Sequence, residues 1–128
     1  MRLHHVQVSC PPGGEDAARR FYGKGLGLVE VPKPEPLRAR GGVWFRAYDA
    51  SGAVCAELHL GVEDAFTAAR KAHPAFLLDD RAALAATEDR LEALGHVVDR
   101  TEMASFPGFE RVHVVDPFGN RVELLISS

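Results

Sequence analysis

An internal repeat constrains the fold of this chain more than any other feature of its sequence. One order of segments, a strand, an amphipathic helix and three more strands, occurs in the first half and again in the second. A repeated supersecondary unit indicates a fold built from copies of one module. Neither copy is long enough to bury a sheet alone. We therefore predict an α+β fold that contains two βαβββ modules.

The first module is predicted over about residues 1–62. The acidic residues Glu15 and Asp16 favour the N-terminus of its helix, and a cluster of glycines ends that helix. A proline-rich stretch and a turn containing glycine separate the later strands. The strands are predicted at 3–9, 28–31, 43–48 and 53–60.

The second module is predicted over about residues 70–128, after a linker that we expect to be partly helical. Asp79 or Asp80 can cap a helix that runs to about Leu94, and Gly95 follows as its C-terminal stop. Apolar side chains and one threonine recur on a single face of that helix. The strands are predicted at 73–78, 96–100, 111–115 and 120–126, and the linker at 61–72.

Length and charge exclude several classes of protein. The 128 residues suffice for one domain, and 15 basic against 18 acidic side chains give a net charge of −3. Nucleic-acid-binding domains usually carry a basic excess, and no apolar stretch approaches the roughly 20 residues that cross a bilayer. The N-terminus lacks the layout of a signal peptide. We expect a cytoplasmic protein that binds neither nucleic acid nor membranes, in which Cys10 and Cys55 are small buried side chains.

A histidine on the first strand of each module and a glutamate on its last strand form the strongest chemical pattern. His5 and Glu57 are 52 positions apart, and His73 and Glu123 are 50 positions apart. A duplicated module that places both pairs equivalently would bring four ligands together. Imidazole and carboxylate groups suit one divalent ion such as Zn, Ni, Co, Mn or Fe, and the set does not distinguish among these metals.

Strand parity leaves an alternative in the first module. Residues two apart share one face of a strand, so Glu57 shares its face with His59, and either of them could be the ligand. In the second module Glu123 shares its face with Arg121, while the residues between them can pack against a helix. A loosely held Glu123 could also move a proton, which makes it the predicted catalytic residue.

Five residues are candidates for contact with a substrate, and for each of them packing is the alternative. His59 and His113 lie on predicted strands and could line a cavity. Trp44 lies on the opposite face of its strand from the phenylalanine that follows it. Phe106 and Phe109 flank a Pro-Gly turn, which is typical either of a lid that contacts substrate or of a loop folded onto its own body.

Several short motifs resemble one known family over nearly the whole chain. They are Leu-His-His-Val at 3–6, Phe-Tyr with Leu-Gly-Leu at 21–28, Ala-Glu-Leu at 56–58 and Asp-Pro-Phe-Gly-Asn-Arg-Val-Glu-Leu at 116–124. With His73 opening the second module, this set resembles the vicinal oxygen chelate superfamily. That superfamily includes glyoxalase I, extradiol dioxygenases, fosfomycin-resistance enzymes and bleomycin-resistance proteins.

The resemblance implies that the two modules form an open, cupped mixed sheet around a central cavity, as a single glyoxalase-like domain over 1–128. It implies a metal held by His5, Glu57, His73 and Glu123. The expected activity is that of a metal-dependent enzyme of the glyoxalase or dioxygenase type, acting on a small oxygenated substrate through bidentate metal chelation and proton transfer by Glu123.

The same resemblance leaves the reaction and the substrate open. A lyase or isomerase is favoured over a dioxygenase or a thiol transferase, and a homodimer is expected. The residues that hold glutathione in glyoxalase I have no clear counterparts here, so a glutathione substrate is unsupported. The alternative is a non-catalytic protein that sequesters a small molecule, as bleomycin-resistance proteins do.

Overall fold

Two four-stranded mixed sheets repeat one topology in the computed structural model, which describes residues 1–128. The first sheet belongs to the unit Met1–Ala68 and the second to the unit Ala69–Ser128. Both sheets are open. This arrangement confirms the predicted α+β class and the two βαβββ modules, while their combination into one domain stays a prediction.

Each sheet pairs the first strand of its module in parallel with the last strand, and the other pairs are antiparallel. The strands are β1 Val6–Cys10, β2 Val29–Val31, β3 Val43–Tyr48, β4 Val54–Val62, β5 Ala75–Leu77, β6 Val98–Asp99, β7 Phe109–Val115 and β8 Arg121–Ser127. Their order is β1-β4-β3-β2 in the first unit and β5-β8-β7-β6 in the second. The helix between the first two strands of each module supplies the crossover.

Among the strands that begin later than predicted, two leave a candidate ligand histidine outside the strand. β1 begins at Val6 and β5 at Ala75, so His5 and His73 each lie just before a strand. Pro74 has no N–H to give to a ladder, but its carbonyl oxygen accepts a hydrogen bond from the Glu123 N–H at 3.0 Å. That bond extends the contact between β5 and β8 toward His73.

The first helix changes its winding along its length. α1 covers Glu15–Ala18, and a π-helical segment continues it over Arg19–Gly25. Phe21 and Tyr22 lie in this segment and are fully buried. The Tyr22 ring lies 5.9 Å from the ring of Phe45 on β3, measured between centroids. Wide turns of this kind are uncommon and short, and here one places two consecutive aromatic side chains in the core.

The second helix agrees closely with its prediction. α2 covers Arg81–Ala93, and Oδ1 of Asp80 caps it by accepting a hydrogen bond from the Ala83 N–H at 2.8 Å. Gly95 follows with a φ of 89°, the left-handed conformation that commonly ends a helix. Leu84 and Leu91 are buried, and the helix packs against β8. None of the helices is long and apolar enough to span a membrane.

Two local predictions are wrong, and one short helix was not predicted. The linker at 61–72 contains no helix, because β4 continues to Val62 and the Glu63 N–H bonds to the carbonyl of Cys10 at 2.9 Å. A short 3-10 helix at Glu35–Arg40 was not predicted, although Pro36 fixes a φ compatible with it. Cys10 is buried as expected, but Cys55 is exposed because it lies near the uncovered start of β4.

Candidate functional site

Three side chains that can bind a metal ion converge in the second unit. Nε2 of His73 lies 2.9 Å from Oε2 of Glu123, and Nε2 of His113 lies 3.6 Å from the same oxygen. One potential ligand atom from each residue lies within 4.8 Å of the other two. Two imidazoles and one carboxylate form a donor set that fits a divalent transition metal.

Strand register brings these residues together. The antiparallel pairing of β7 with β8 places His113 opposite Glu123, and the parallel pairing of β5 with β8 places Ala75 beside Glu123. His73 is two residues before Ala75. The sequence analysis identified His73 and Glu123 as ligands and placed His113 among the substrate contacts, whereas the structure groups all three.

The turn between β7 and β8 fixes that register. Oδ1 of Asp116 accepts hydrogen bonds from the backbone N–H groups of Phe118 and Asn120 at 2.9 and 2.8 Å. Its Oδ2 accepts a third from the side-chain amide of Asn120 at 2.8 Å. A slip of one residue would move Glu123 to the other face of the sheet. The Asp-Pro-Phe-Gly-Asn motif therefore positions Glu123 without itself supplying a ligand.

The ring of His73 is held in its orientation by a hydrogen bond at Nδ1, the ring nitrogen that does not contact Glu123. Nδ1 donates to the carbonyl oxygen of Lys71 at 2.5 Å, and Nε2 donates to Glu123. A backbone carbonyl on one ring nitrogen is the usual way in which a metal-binding histidine is held. A metal ion at Nε2 would take the place of the hydrogen bond to Glu123, and the bond to Lys71 would keep the ring in place.

Glu123 is a buried carboxylate whose charge is stabilised by its neighbours. Its side chain is 6% exposed, and Oε1 lies 3.4 Å from a guanidinium nitrogen of Arg111. Burial raises the pKa of Glu123, but the hydrogen bonds from His73 and Arg111 outweigh it, so that the pKa is lowered overall. The carboxylate is thus ionised at neutral pH, which is the form that binds a metal.

His113 is a neutral imidazole in this arrangement. A guanidinium nitrogen of Arg121 donates to Nε2 of His113 at 2.7 Å, so that nitrogen carries no proton. Burial, then the charge of Arg121, lowers the pKa of His113. The predicted shared face of Glu123 and Arg121 is consistent with these contacts. His113 could ligate a metal through Nε2 only after Arg121 moves away from it.

Arg111 connects Glu123 to the loop that precedes β7. Its guanidinium donates to Oε2 of Glu102 at 2.6 Å and to Oγ of Ser105 at 2.8 Å. It also lies 5.7 Å from the centre of the Phe106 ring, which is itself 4.9 Å from the ring of Phe109. Phe106 is 42% exposed. The position of Arg111 beside Glu123 was not predicted, although Arg111 shares a face of its strand with His113 and this parity was the signal that could have placed it.

The first unit has a different polar cluster, built around Glu57. Oε1 of Glu57 lies 2.7 Å from Nε2 of His59, and Oε2 accepts a hydrogen bond from Nε of Arg46 at 2.7 Å. Register places Arg46 opposite Glu57. Burial raises the pKa of Glu57, but the hydrogen bonds to His59 and Arg46 lower it by more than burial raises it. The pKa of Glu57 is therefore lowered overall.

His59 lies between two other rings. Its ring stacks on Trp44 with centroids 3.7 Å apart, and on His5 with centroids 4.1 Å apart. Nδ1 of His5 lies 2.9 Å from Nδ1 of His4. Burial lowers the pKa of His59, so the ring is neutral at neutral pH. Glu57 and His59, which the sequence left as alternative ligands, are therefore hydrogen-bonded partners, and His5 contacts this pair through His59.

Known proteins resemble the chain over its whole length. A protein of Bacillus anthracis described as belonging to the glyoxalase family is 38% identical, with a TM-score of 0.82 and 100% of both chains covered. A lactoylglutathione lyase of Agrobacterium tumefaciens is 26% identical, with a TM-score of 0.69, over 98% of this chain and 92% of that chain. A fosfomycin resistance protein, FosX, of Listeria monocytogenes shares the fold at 14% identity, with a TM-score of 0.67, over 100% of this chain and 94% of that chain.

A search of the curated proteins gave no match. The family model of the Glyoxalase/Bleomycin resistance protein/Dioxygenase superfamily matches residues 2–124. This match covers both modules, including the His73, His113 and Glu123 group. The chain belongs to the glyoxalase/bleomycin resistance protein/dioxygenase superfamily.

Proposed function

We propose that this protein is a divalent-metal-dependent enzyme of the glyoxalase type that acts on a small oxygenated substrate. The observation that carries the proposal is the convergence of His73, His113 and Glu123, with His73 oriented by a backbone carbonyl. A bound metal would polarise neighbouring oxygens of a substrate and stabilise the negative charge that develops on them. The similarity to the glyoxalase family protein of Bacillus anthracis supports the same class of chemistry.

His73 and Glu123 are the two proposed ligands that the sequence pattern, the family resemblance and the geometry of the cluster all support. The structure supports His113 as the third donor, because it lies opposite Glu123. The family resemblance implies His5 and Glu57 instead, and these remain proposals. Both carboxylate oxygens of Glu57 are hydrogen-bonded to protein side chains, those of Arg46 and His59.

Glu123 is the proposed proton carrier. Its Oε1 has only a long contact to Arg111, at 3.4 Å, while Oε2 is bonded to His73. Oε1 would take the proton from a hydroxyl-bearing substrate carbon next to a carbonyl and return it to the former carbonyl carbon, while the hydroxyl proton passes to the former carbonyl oxygen, as in an isomerase. The lowered pKa of Glu123 keeps the base form populated at neutral pH. Arg111 would stabilise the carboxylate before the first transfer and again after the second.

Metal analysis tests this proposal directly. Protein purified without chelators should contain Zn, Ni, Co, Mn or Fe in a fixed ratio to protein, and metal-free protein should bind one of these ions in a calorimetric titration. Loaded protein should catalyse deuterium exchange at the carbon beside the carbonyl of small hydroxycarbonyl compounds, followed by NMR. Protein that contains no metal and binds none would overturn the proposal.

A second function is favoured by one feature of the same cluster. Each candidate ligand already has a protein partner: His73 bonds to Glu123, Glu123 to Arg111, and His113 to Arg121. A cluster whose polar atoms are satisfied has no electrostatic need for an ion. The alternative is therefore a non-catalytic protein that sequesters a small molecule. Tight binding of a small molecule by metal-free protein, without turnover, would support it.

The proposed assembly is a homodimer. Each sheet is open and has edge strands, of which β1, with five residues, is the longest. Open sheet edges favour pairing with another chain. Sedimentation equilibrium should give twice the mass of one chain, and a monomeric mass at all concentrations would contradict this proposal.

A further inference from the structure

The first unit contains a cavity of about 180 Å³ whose charged lining is entirely basic. Lys33 and Arg40 contribute the charge, and Gln7 contributes an amide. The cavity is smaller than most drug-sized pockets. It therefore suits a small molecule or one end of a larger one.

The cavity combines this positive charge with apolar surface. Leu37, Trp44, Leu60 and Val62 line it, and no acidic side chain does. The whole chain carries a net charge of −3, whereas both charged side chains of the lining are basic. The carboxylate of Glu15 lies beside Gly41, behind the lining, and accepts a hydrogen bond from the Gly42 N–H. A concave surface lined by one sign of charge attracts ligands of the opposite sign.

The 3-10 helix at Glu35–Arg40 holds the two cations at the cavity. Nε of Arg38 donates to the carbonyl oxygen of Lys33 at 3.1 Å, which ties the segment before the helix to the helix itself. The Lys33 ammonium donates to the carbonyl oxygen of Gly41 at the other end of the helix. An ammonium has three N–H donors, so Lys33 retains two for a ligand. Arg40, the last residue of the helix, lines the cavity with its exposed guanidinium.

A glycine on β4 makes room for the amide. A Cβ on Gly61 would lie 2.7 Å from Nε2 of Gln7, closer than such atoms approach. The absence of a side chain at Gly61 therefore lets the Gln7 amide lie across β4 at the cavity. The lining thus offers neutral N–H donors in addition to two cations.

We propose that this cavity binds a small organic anion. Lys33 and Arg40 hold its carboxylate or phosphate group, and its apolar part contacts Trp44 and Leu37. Charge-assisted hydrogen bonds from lysine and arginine are the strong polar contacts available to such a group. The inference concerns the first unit alone and goes beyond the metal-dependent reaction proposed above. None of the lining residues is a proposed metal ligand, and Trp44 is the one lining residue that is also a predicted substrate contact.

Trp44 provides the readout, because it is the single tryptophan of the chain and lines the cavity. Protein depleted of metal on a chelating resin is titrated with benzoate, phenyl phosphate and neutral benzamide at constant ionic strength. We expect a saturable change in fluorescence with at least one of the two anions, and the tighter anion identifies the head group. Equal binding of benzamide, or no saturable change with either anion, would overturn the proposal.

Charge-removing variants locate the binding. Arg40→Gln should raise the Kd of the preferred anion by about tenfold, the loss expected for one charge-assisted contact. Lys33→Gln should do the same, with circular dichroism reporting whether the loss of its bond to Gly41 disturbs the fold. Arg20→Gln removes one charge from an exposed residue of the same unit and should leave the Kd unchanged. An equal effect of Arg20→Gln, or none of Arg40→Gln, would contradict the assignment.

Discussion

Nε2 of His73 and Oε2 of Glu123 lie 2.9 Å apart, although the two residues are separated by 50 positions. The parallel pairing of β5 with β8 makes this contact possible. The first unit has the same strand order, yet its carboxylate, Glu57, bonds to Arg46 and His59. The two modules therefore share a topology and differ in how their polar groups are connected.

Glu123→Gln should abolish metal-dependent turnover and weaken metal binding. The substitution keeps the size of the side chain but removes the charge that neutralises a cation. We expect the Kd for a divalent ion to rise by at least about tenfold, since even residues behind the ligands contribute that much. Calorimetric metal titration gives the Kd. Glu110→Gln, on β7, is the control and should bind metal as tightly as the original protein does. Unchanged metal binding by Glu123→Gln would contradict the ligand assignment.

His113→Gln should weaken metal binding more than His5→Gln. His113 lies opposite Glu123 in the register, whereas His5 stacks on His59 in the first unit. The loss of one neutral donor should raise the Kd by about tenfold. Both variants are compared in the same titration, with matched circular dichroism spectra. A larger loss in His5→Gln would favour the ligand set implied by the family resemblance.

Glu15→Gln should remove a pH-dependent contribution to stability. Oε1 of Glu15 accepts a hydrogen bond from the Gly42 N–H at 3.0 Å, and this bond lowers the pKa of Glu15 below its ordinary value of 4.5. A lowered pKa stabilises the fold above that ordinary value, and the stabilisation is lost as the pH falls through the folded pKa. The variant should be less stable by about 0.5–1 kcal/mol at neutral pH, and the difference should vanish in acid.

Urea denaturation across that pH range measures the Glu15 effect. Glu63→Gln, an exposed glutamate of the same unit, controls for the loss of one negative charge. A difference in unfolding free energy that stays constant as the pH falls would show that the ionised carboxylate is not its source.

Gly42→Ala should destabilise the protein far more than Gly52→Ala. Both glycines have a positive φ, of 83° and 82°, but a Cβ on Gly42 would lie 2.1 Å from the carbonyl oxygen of Leu60, while that on Gly52 would meet nothing within 4 Å. Left-handed backbone alone costs about 1–2 kcal/mol, and a backbone clash should raise the total to about 3 kcal/mol or more. Chemical denaturation compares the two variants, and equal losses would show that the contact with Leu60 relaxes.

Local signals explain the predictions that the structure confirms. Asp80 caps α2 and Gly95 follows it, and both signals lie in the residues beside the helix ends. The two modules could also be predicted from local signals, because each repeated segment has its own hydrophobic periodicity. The 3-10 helix at Glu35–Arg40 could not be predicted in this way, because a proline-rich stretch indicates the end of the preceding strand as readily as the start of a short helix.

The polar contacts depend on strand register and on side-chain rotamers. The alternation of side chains along a strand predicts neither of them. Parity placed Glu123 and Arg121 on one face, but the pairing of His113 with Glu123 follows from the turn held by Asp116. In the first unit the stack of His5 on His59 depends on side-chain rotamers that no spacing encodes. The motif at 116–124 thus identifies the fold more strongly than the reaction.

The stacking of Trp44 on His59 joins two features of the first unit that otherwise look independent. The indole lies 3.7 Å from the His59 ring and also forms part of the cavity wall, while His59 is bonded to Glu57. A molecule that tilts the indole would also act on the imidazole stacked against it, and that imidazole is hydrogen-bonded to the buried carboxylate of Glu57. Binding in the cavity would then be visible as a change in the environment of His59, even though His59 does not line the cavity.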